Sequence, residues 1–326
     1  MNILVYRNSS LGDFIQAIPS IYFLKKKYKE ANIFYLSHLS KINPAPIDDI
    51  LKNKFLVQEF IFFEGNFKQI TNILNLIKLL KSKKINKIYY LNRYSRFQRL
   101  VRDFFFFKLV FPFKKINGIF DIKNRYKNET LYLAKKINKK IEKADILKIN
   151  LKNVVKKIKI QKKISESYFL NRKYITISVG GKNISTGSNK KSKKWKMSRW
   201  LKLIELILKK YKNLFIVITG TKEELNYFSF NSTILKDTRV INLINKTSVE
   251  QLAYLINSSL LHLCHDDGSM HLSALLKKKT LAIYHNHDFV NRSNPISKDF
   301  FIIRDKNNIN NISIYRVYKK VIKILK

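Results

Sequence analysis

Two carboxylate-bearing turns carry the chemistry this sequence could do. The first is Arg7-Asn8-Ser9-Ser10-Leu11-Gly12-Asp13, entered directly from the apolar run Ile3-Leu4-Val5-Tyr6. That order reads as strand, tight turn and amphipathic helix. It puts Asp13 at the carboxyl end of the first strand of an α/β sheet, the edge where ligands bind. A helix N-terminus there favours negative charge, and an ionised carboxylate in a crevice accepts a proton from a hydroxyl. A helix cap explains the same aspartate equally well. Gly12, lacking a Cβ, is expected to let the backbone turn tightly.

The second turn is His265-Asp266-Asp267-Gly268-Ser269-Met270-His271, between a buried strand and a helix. Gly268 allows close backbone approach, and the free amides of a first helical turn make an anion cradle suited to a diphosphate. His271 would add a hydrogen bond to a phosphate or a sugar. The plain alternative is a strand-to-helix turn with a capping aspartate. Glu223 or Glu224, just past Gly220 at a strand end, would hold ribose hydroxyls; a solvated helix N-terminus explains them equally well. Five of the six histidines fall between residues 262 and 287, with Cys264 among them. The spacing matches no closed zinc pattern, and His262, alternating with Leu261 and Leu263, reads as a packed strand residue.

The elements that must position these turns alternate strand and helix. In the first half, strands are expected at 3–6, 33–36, 55–57, 60–63 and 88–91. Helices are expected at 13–29 with a kink at Pro19, at 67–83, at 93–110 and at 127–140. Ile70, Ile73, Leu74, Ile77 and Leu80 share a face of the second helix. A Lys-rich stretch over 135–163 reads as a linker. The second half repeats the pattern, with strands at 174–179, 214–219, 240–243, 260–264 and 280–284. Its helices are expected at 198–211, from a capping box at Ser248 and Gln251 to about 257, at 269–277 and at 312–325. Two βαβ sets imply two doubly wound sheets, with a seam near 160–173 and a cleft as the default site.

Composition narrows the class. At 326 residues and 45% hydrophobic, the chain can form two domains, or one large one, with a sizeable core. A single cysteine fits a reducing compartment, no signal peptide is read, and no stretch is long and apolar enough to span a bilayer. Lys and Arg number 65 against 22 Asp and Glu, a net charge of +43. Only twelve of the 65 are Arg, and the charge is spread along the chain, which argues against nucleic-acid readout. It would still draw the protein to anionic lipid, by about 1 kcal/mol per basic residue near the membrane.

Together the two turns resemble the heptosyltransferases of glycosyltransferase family 9, which move sugars from nucleotide diphosphates onto lipopolysaccharide cores. Ser9-Ser10-Leu11-Gly12-Asp13, then Ile15 and Pro19, is similar to that family's Ser-x-Gly-Asp start. Lys193-Lys194-Trp195 with Trp200 resembles its basic-x-Trp element, and Asp266 to Leu272 its Asp-x-Gly-x-x-His-Leu element. The chain departs at His285-Asn286-His287-Asp288, where the family has Gly-Pro-Thr-Asp, and in a lengthened loop at 182–192. The resemblance implies an α/β GT-B architecture: two facing Rossmann-like domains with a central cleft. Residues 1–165 would bind the acceptor and 166–311 the donor, with the closing helix 312–326 crossing back onto the first domain.

The chemistry so implied is inverting transfer without metal or cofactor. Asp13 deprotonates the acceptor hydroxyl, the transition state is oxocarbenium-like, and Lys193 with the amides of 268–270 neutralises the leaving diphosphate. Donor contacts would come from Ser9, Ser10, Gly12, Glu223, Asp266, Asp267, Gly268, Ser269, Met270 and His271. ADP-heptose is the default donor, and an anionic lipid-linked saccharide at the inner face of the cytoplasmic membrane is the acceptor. Nucleic acid is not an expected partner. The rivals are a degenerate member that binds nucleotide sugar without transfer and, on charge alone, a basic nucleic-acid-binding protein.

Arg93, Arg96, Arg99 and Arg102 recur every three residues, a ridge that is either solvated or an acceptor site for phosphate and carboxylate. The run Phe104 to Phe107 surrounds a helix, so at least one ring must face away from the core, with Phe111 and Phe113 extending the patch. Most of it is expected in the core, with a smaller role at a membrane interface.

Overall fold

The computed structural model describes residues 1–38, 56–63, 69–92, 97–120, 128–149, 167–180, 194–225, 233–285, 293–305 and 307–326. The chain divides into two compact units, Met1–Ile146 with Asn291–Ser293 and Leu147–Val290 with Asn294–Lys326. That division precedes the seam expected near 160–173.

In the first unit β1 (Asn2–Tyr6), β2 (Asn32–His38), β3 (Glu59–Phe63), β4 (Lys87–Tyr90) and β5 (Ile116–Asn117) form a parallel sheet in the order β3-β2-β1-β4-β5. Its helices are α1 (Leu11–Lys27), α2 (Ile70–Ser82), α3 (Phe97–Val110) and α4 (Glu129–Ile137), and α5 (Lys143–Lys148) spans the division. β1 is central, and Ile3, Leu4 and Val5 are fully buried, as a parallel strand covered on both faces requires. The chain leaves β1 for β2 and β3, then returns to β4 on its other side. The carboxyl end of β1 is therefore the topological switch point, where such sheets bind ligands.

The second unit repeats this plan with β6 (Tyr174–Ser178), β7 (Phe215–Thr219), β8 (Val240–Asn242), β9 (His262–Cys264), β10 (Thr280–His285) and β11 (Phe300–Asp305), again all parallel. The order β11-β10-β9-β6-β7-β8 places its switch point between β6 and β9. The helices are α6 (Met197–Lys210), the short α7 (Lys222–Leu225), α8 (Val249–Ser258), α9 (Gly268–Leu275) and α10 (Ile314–Leu325).

Several expectations need correction. α10, expected against the first domain, belongs to the second unit: Val317, Val321 and Ile324 are buried in its core, beside Trp200, Leu203 and Ile204 of α6. On α2 the buried residues are Leu76 and Leu80, with Ile73 and Ile77 partly covered, while Ile70 and Leu74 are exposed. The apolar residues there span a wider arc than the sheet covers. Leu56 and Val57 are buried but not in a strand, which begins at Glu59. β5 and β11 were not expected. β5 is only two residues long, and β11 is a partly exposed edge strand, so neither shows a clear apolar period. Of the four-phenylalanine run, Phe107 is in the core, Phe104 and Phe106 pack partly against it, and Phe105 points out. Among the described residues no helix is long and apolar enough to cross a membrane.

Candidate functional site

At the first switch point the helix starts earlier than expected. Ser10 is the N-cap of α1, and Asp13 is its third residue. Asp13 Oδ2 accepts from Ser10 Oγ at 2.8 Å and from Ser10 N at 3.3 Å, so the carboxylate braces the cap rather than being it. Its side chain nevertheless stays 49% exposed, which leaves it reachable by a substrate hydroxyl. Gly12 lies inside the first helical turn, so the tight turn assigned to it is not made there.

Arg7, at the end of β1, is the residue sequence reasoning missed. Buried to 4% exposure, its guanidinium donates to Leu91 O at 2.8 Å and to Glu129 Oε1 of α4 at 3.2 Å. Its Nε donates to the main-chain oxygen of Asp13 at 3.1 Å, and Nη2 lies 3.5 Å from Asp13 Oδ1. Burial opposes the charge, but Glu129 and then Asp13 outweigh it and hold the Arg7 pKa above its ordinary value. A permanent cation is thus fixed under the first turn of α1. Ser9, expected on a donor, turns inward: its Oγ donates to Arg7 O and sits 2.6 Å from Tyr35 Oη, while its amide donates to Ser37 Oγ.

At the second switch point Asp267 is the N-cap of α9. Oδ1 accepts from Ser269 Oγ at 2.6 Å and Met270 N at 3.1 Å, and Oδ2 accepts from Ser178 Oγ at the end of β6 at 2.9 Å. Burial pushes this carboxyl up to about 6, against the pull of those donors. A buried chain continues beneath it. Because Ser269 Oγ–H donates to Asp267, His262 Nε2–H donates to Ser269 Oγ, and His262 Nδ1 accepts from Thr176 Oγ1–H, both at 2.8 Å. Burial holds the His262 ring neutral, with a pKa of about 3.

These contacts divide the expected donor residues. The Met270 amide, expected in the anion cradle, is taken by Asp267, and the Met270 side chain is core, its sulfur accepting from Tyr284 Oη at 2.7 Å. Ser269 and its hydroxyl are buried. The amides of Gly268 and Ser269, the first two of α9, have no intrahelical acceptor. Asp266 is part-exposed and His271 buried. The capping role carries a prediction. Asp267→Ala should cost about 1–2 kcal/mol in urea unfolding, and Asp267→Asn much less, because Asn caps nearly as well as Asp. Equal losses would reject capping as the role of this carboxylate.

His265 joins the strand ends. Nδ1–H donates to Gly180 O just past β6 at 2.9 Å, Nε2 accepts from Trp195 N–H at 3.0 Å, and Trp200 packs edge-on at 5.2 Å. Gly180 and Trp195 flank the segment that carries Lys193. Lys193 itself lies outside the described residues, as do Arg93 and Arg96; Arg99 is exposed. Lys194 is described, and its Nζ is 3.3 Å from Glu224 Oε1. The glutamate at the strand ends is therefore Glu224, not Glu223. Glu223 is exposed, whereas Glu224 is buried, accepts from Thr221 N at 2.8 Å and Oγ1 at 2.6 Å, and would lie 3.3 Å from a Cβ added at Gly180. Among the described residues no group of three or more His, Cys, Asp or Glu could hold a metal ion.

The family profile described as glycosyltransferase family 9 (heptosyltransferase) matches residues 127–321. The chain belongs to this family. It is a glycosyltransferase. A lipooligosaccharide heptosyltransferase 2 of Campylobacter jejuni is 25% identical over 288 residues, covering 87% of this chain and 81% of that protein. Among solved structures, the E. coli ADP-heptose lipopolysaccharide heptosyltransferase II is similar at a TM-score of 0.71 and 18% identity, over 100% of this chain and 98% of that one. A family 9 glycosyltransferase from Veillonella parvula has a TM-score of 0.69 and 14% identity, over 99% and 97%. The E. coli heptosyltransferase WaaC with ADP has a TM-score of 0.68 and 12% identity, over 99% and 100%. Likeness over the whole chain establishes the GT-B fold, as the motifs of this family led one to expect.

Proposed function

We propose that this family 9 member transfers heptose from ADP-heptose, with inversion and without a metal, onto a lipopolysaccharide-core-type acceptor. The observation that carries the reading is a half-exposed carboxylate, Asp13, at the switch point of the first sheet. The acceptor hydroxyl attacks the anomeric carbon and its proton passes to Asp13. The bond from that carbon to the diphosphate breaks, and the nucleoside diphosphate leaves. Lys193 and the Gly268 and Ser269 amides would take up the charge that develops on it, with Asp266 and His271 toward the sugar and phosphates. Asp267 and His265 would hold this arrangement in place. The acceptor, an anionic lipid-linked saccharide, brings the enzyme to the inner face of the cytoplasmic membrane as a peripheral protein.

The test is a thermal-shift and calorimetric titration with ADP-, UDP- and GDP-sugars on wild type and Lys193→Ala. A donor at a hundredfold excess over its Kd stabilises the fold by about 2.7 kcal/mol. Stabilisation by ADP-sugars alone, lost in the variant, is the expected result; none with any nucleotide sugar rejects the donor site. Binding without turnover on any acceptor would favour a degenerate member, for which the His285-Asn286-His287 departure from the family pattern speaks.

A further inference from the structure

Among the described residues the outer face of α3 is unpartnered and apolar. Phe97, Val101, Phe105 and Leu109 recur every four residues, a drift of about 40° per step, so they run along one side of the helix. Phe97, Phe105 and Leu109 are 72%, 65% and 67% exposed, and beyond the helix Phe113 and Phe120 are 97% and 62% exposed. A soluble surface seldom gathers so many large apolar side chains in one place without a partner. Phe120 packs against Phe104 at 5.3 Å, so its ring is tied to this helix.

Within residues 97–120 the exposed charges have one sign. Residues 97–120 contain Arg99, Arg102, Lys108, Lys114 and Lys115, and one acid, Asp103. That acid is buried, with Oδ2 accepting from Tyr90 Oη and Oδ1 from Arg102. Lys108 donates to Pro112 O and Lys114 O, so it ties down the turn that presents Phe113. Two copies meeting through this face would bring ten cations together, in a chain whose net charge is +43. An anionic bilayer instead offers acyl chains to the rings and headgroups to the cations.

We propose that α3 and the turn through Phe113 form the membrane-docking face, with Phe105, Leu109 and Phe113 entering the headgroup–acyl boundary of a bilayer rich in anionic phospholipid. The inference rests on the peripheral-membrane reading above and names the surface responsible. Rings at the interface and cations in the headgroups are the arrangement of amphipathic membrane-binding helices.

The experiment is cosedimentation with phosphatidylglycerol/phosphatidylcholine vesicles and with phosphatidylcholine alone, for wild type and Phe105→Ser/Phe113→Ser. Both side chains are exposed, so an unchanged melting temperature is the fold control. Wild type is expected to prefer the anionic vesicles in a salt-sensitive way, and the double variant to bind them at least about tenfold less. Equal binding by the two proteins overturns the face and leaves the peripheral reading standing. No binding of wild type to anionic vesicles overturns both. A wild-type dimer in sedimentation equilibrium that the double variant dissolves would give the face to a second copy and overturn the proposal.

Discussion

Asp13→Asn is expected to lower kcat for sugar transfer by about 10²–10⁴-fold, the usual worth of a positioned general base. That is roughly 3–5 kcal/mol of barrier. Nucleotide-sugar affinity should stay within about twofold of wild type, because the lost proton transfer belongs to the transition state and not to binding. Asn is the informative replacement. It keeps the shape of Asp13 and one carbonyl oxygen for Ser10 at the start of α1, so the helix should survive where Ala would also remove the brace. A variant that keeps more than a tenth of the rate would reject the base, and one that loses stability instead would return Asp13 to a purely structural role. The geometry makes both roles compatible. One carboxylate oxygen serves Ser10, while the other lies 3.5 Å from the buried guanidinium of Arg7. The side chain is thereby held in one orientation with half its surface open.

Both switch points were legible because each motif directly follows a short apolar strand, and the carboxyl end of a strand is read as easily from sequence as from coordinates. What holds the motifs was not. Arg7 looks like any charged residue leaving a strand; its partner Glu129 lies 122 residues away, and no local period reports such a pairing. His265 was visible within its motif, but Gly180 and Trp195 are 85 and 70 residues off. Glu224 and Glu223 are neighbours in sequence, and only the fold of the short α7 decides that Glu224 turns under Gly180 and Gly220. The cap-or-base question at Asp13 had a third answer, because the helix begins at Leu11 and Ser10 takes the cap. The exposed stripe of α3 shows the same limit from the other side. Periodicity groups its apolar residues, but only the position of the sheet decides which rings are left facing water.

The second large effect is expected in acid. Wild type should lose stability relative to His265→Gln as pH falls from about 6.5 to 4, by roughly 3 kcal/mol in total. The physical cause is burial: the ring is fully enclosed and its pKa is pushed down to about 4. Both nitrogens are also committed, because Nε2 accepts from Trp195 N–H and a proton there would set two donors against each other at 3.0 Å. The unfolded chain therefore binds the proton before the folded one does. The stabilisation is complete above the unfolded value near 6.5 and is lost progressively as pH falls through the folded value. His262, with a folded pKa of about 3, adds a loss of the same sign. Asp267 runs the other way: its pKa of about 6 lies above the ordinary carboxylate value, so it favours the folded state as pH falls from 6 toward 4. The two signs partly cancel in wild type, which is why the comparison with His265→Gln is the measurement that matters. Urea unfolding of both proteins across this range should give a difference that is flat above pH 6.5 and falls below it, with a slope approaching one proton. A difference that is flat throughout would mean the ring does not sit neutral between Gly180 and Trp195. Because these two residues flank Lys193, nucleotide-sugar binding should weaken over the same interval in wild type and less so in the Gln variant. That separates a ring that positions the donor segment from one that merely fills the core.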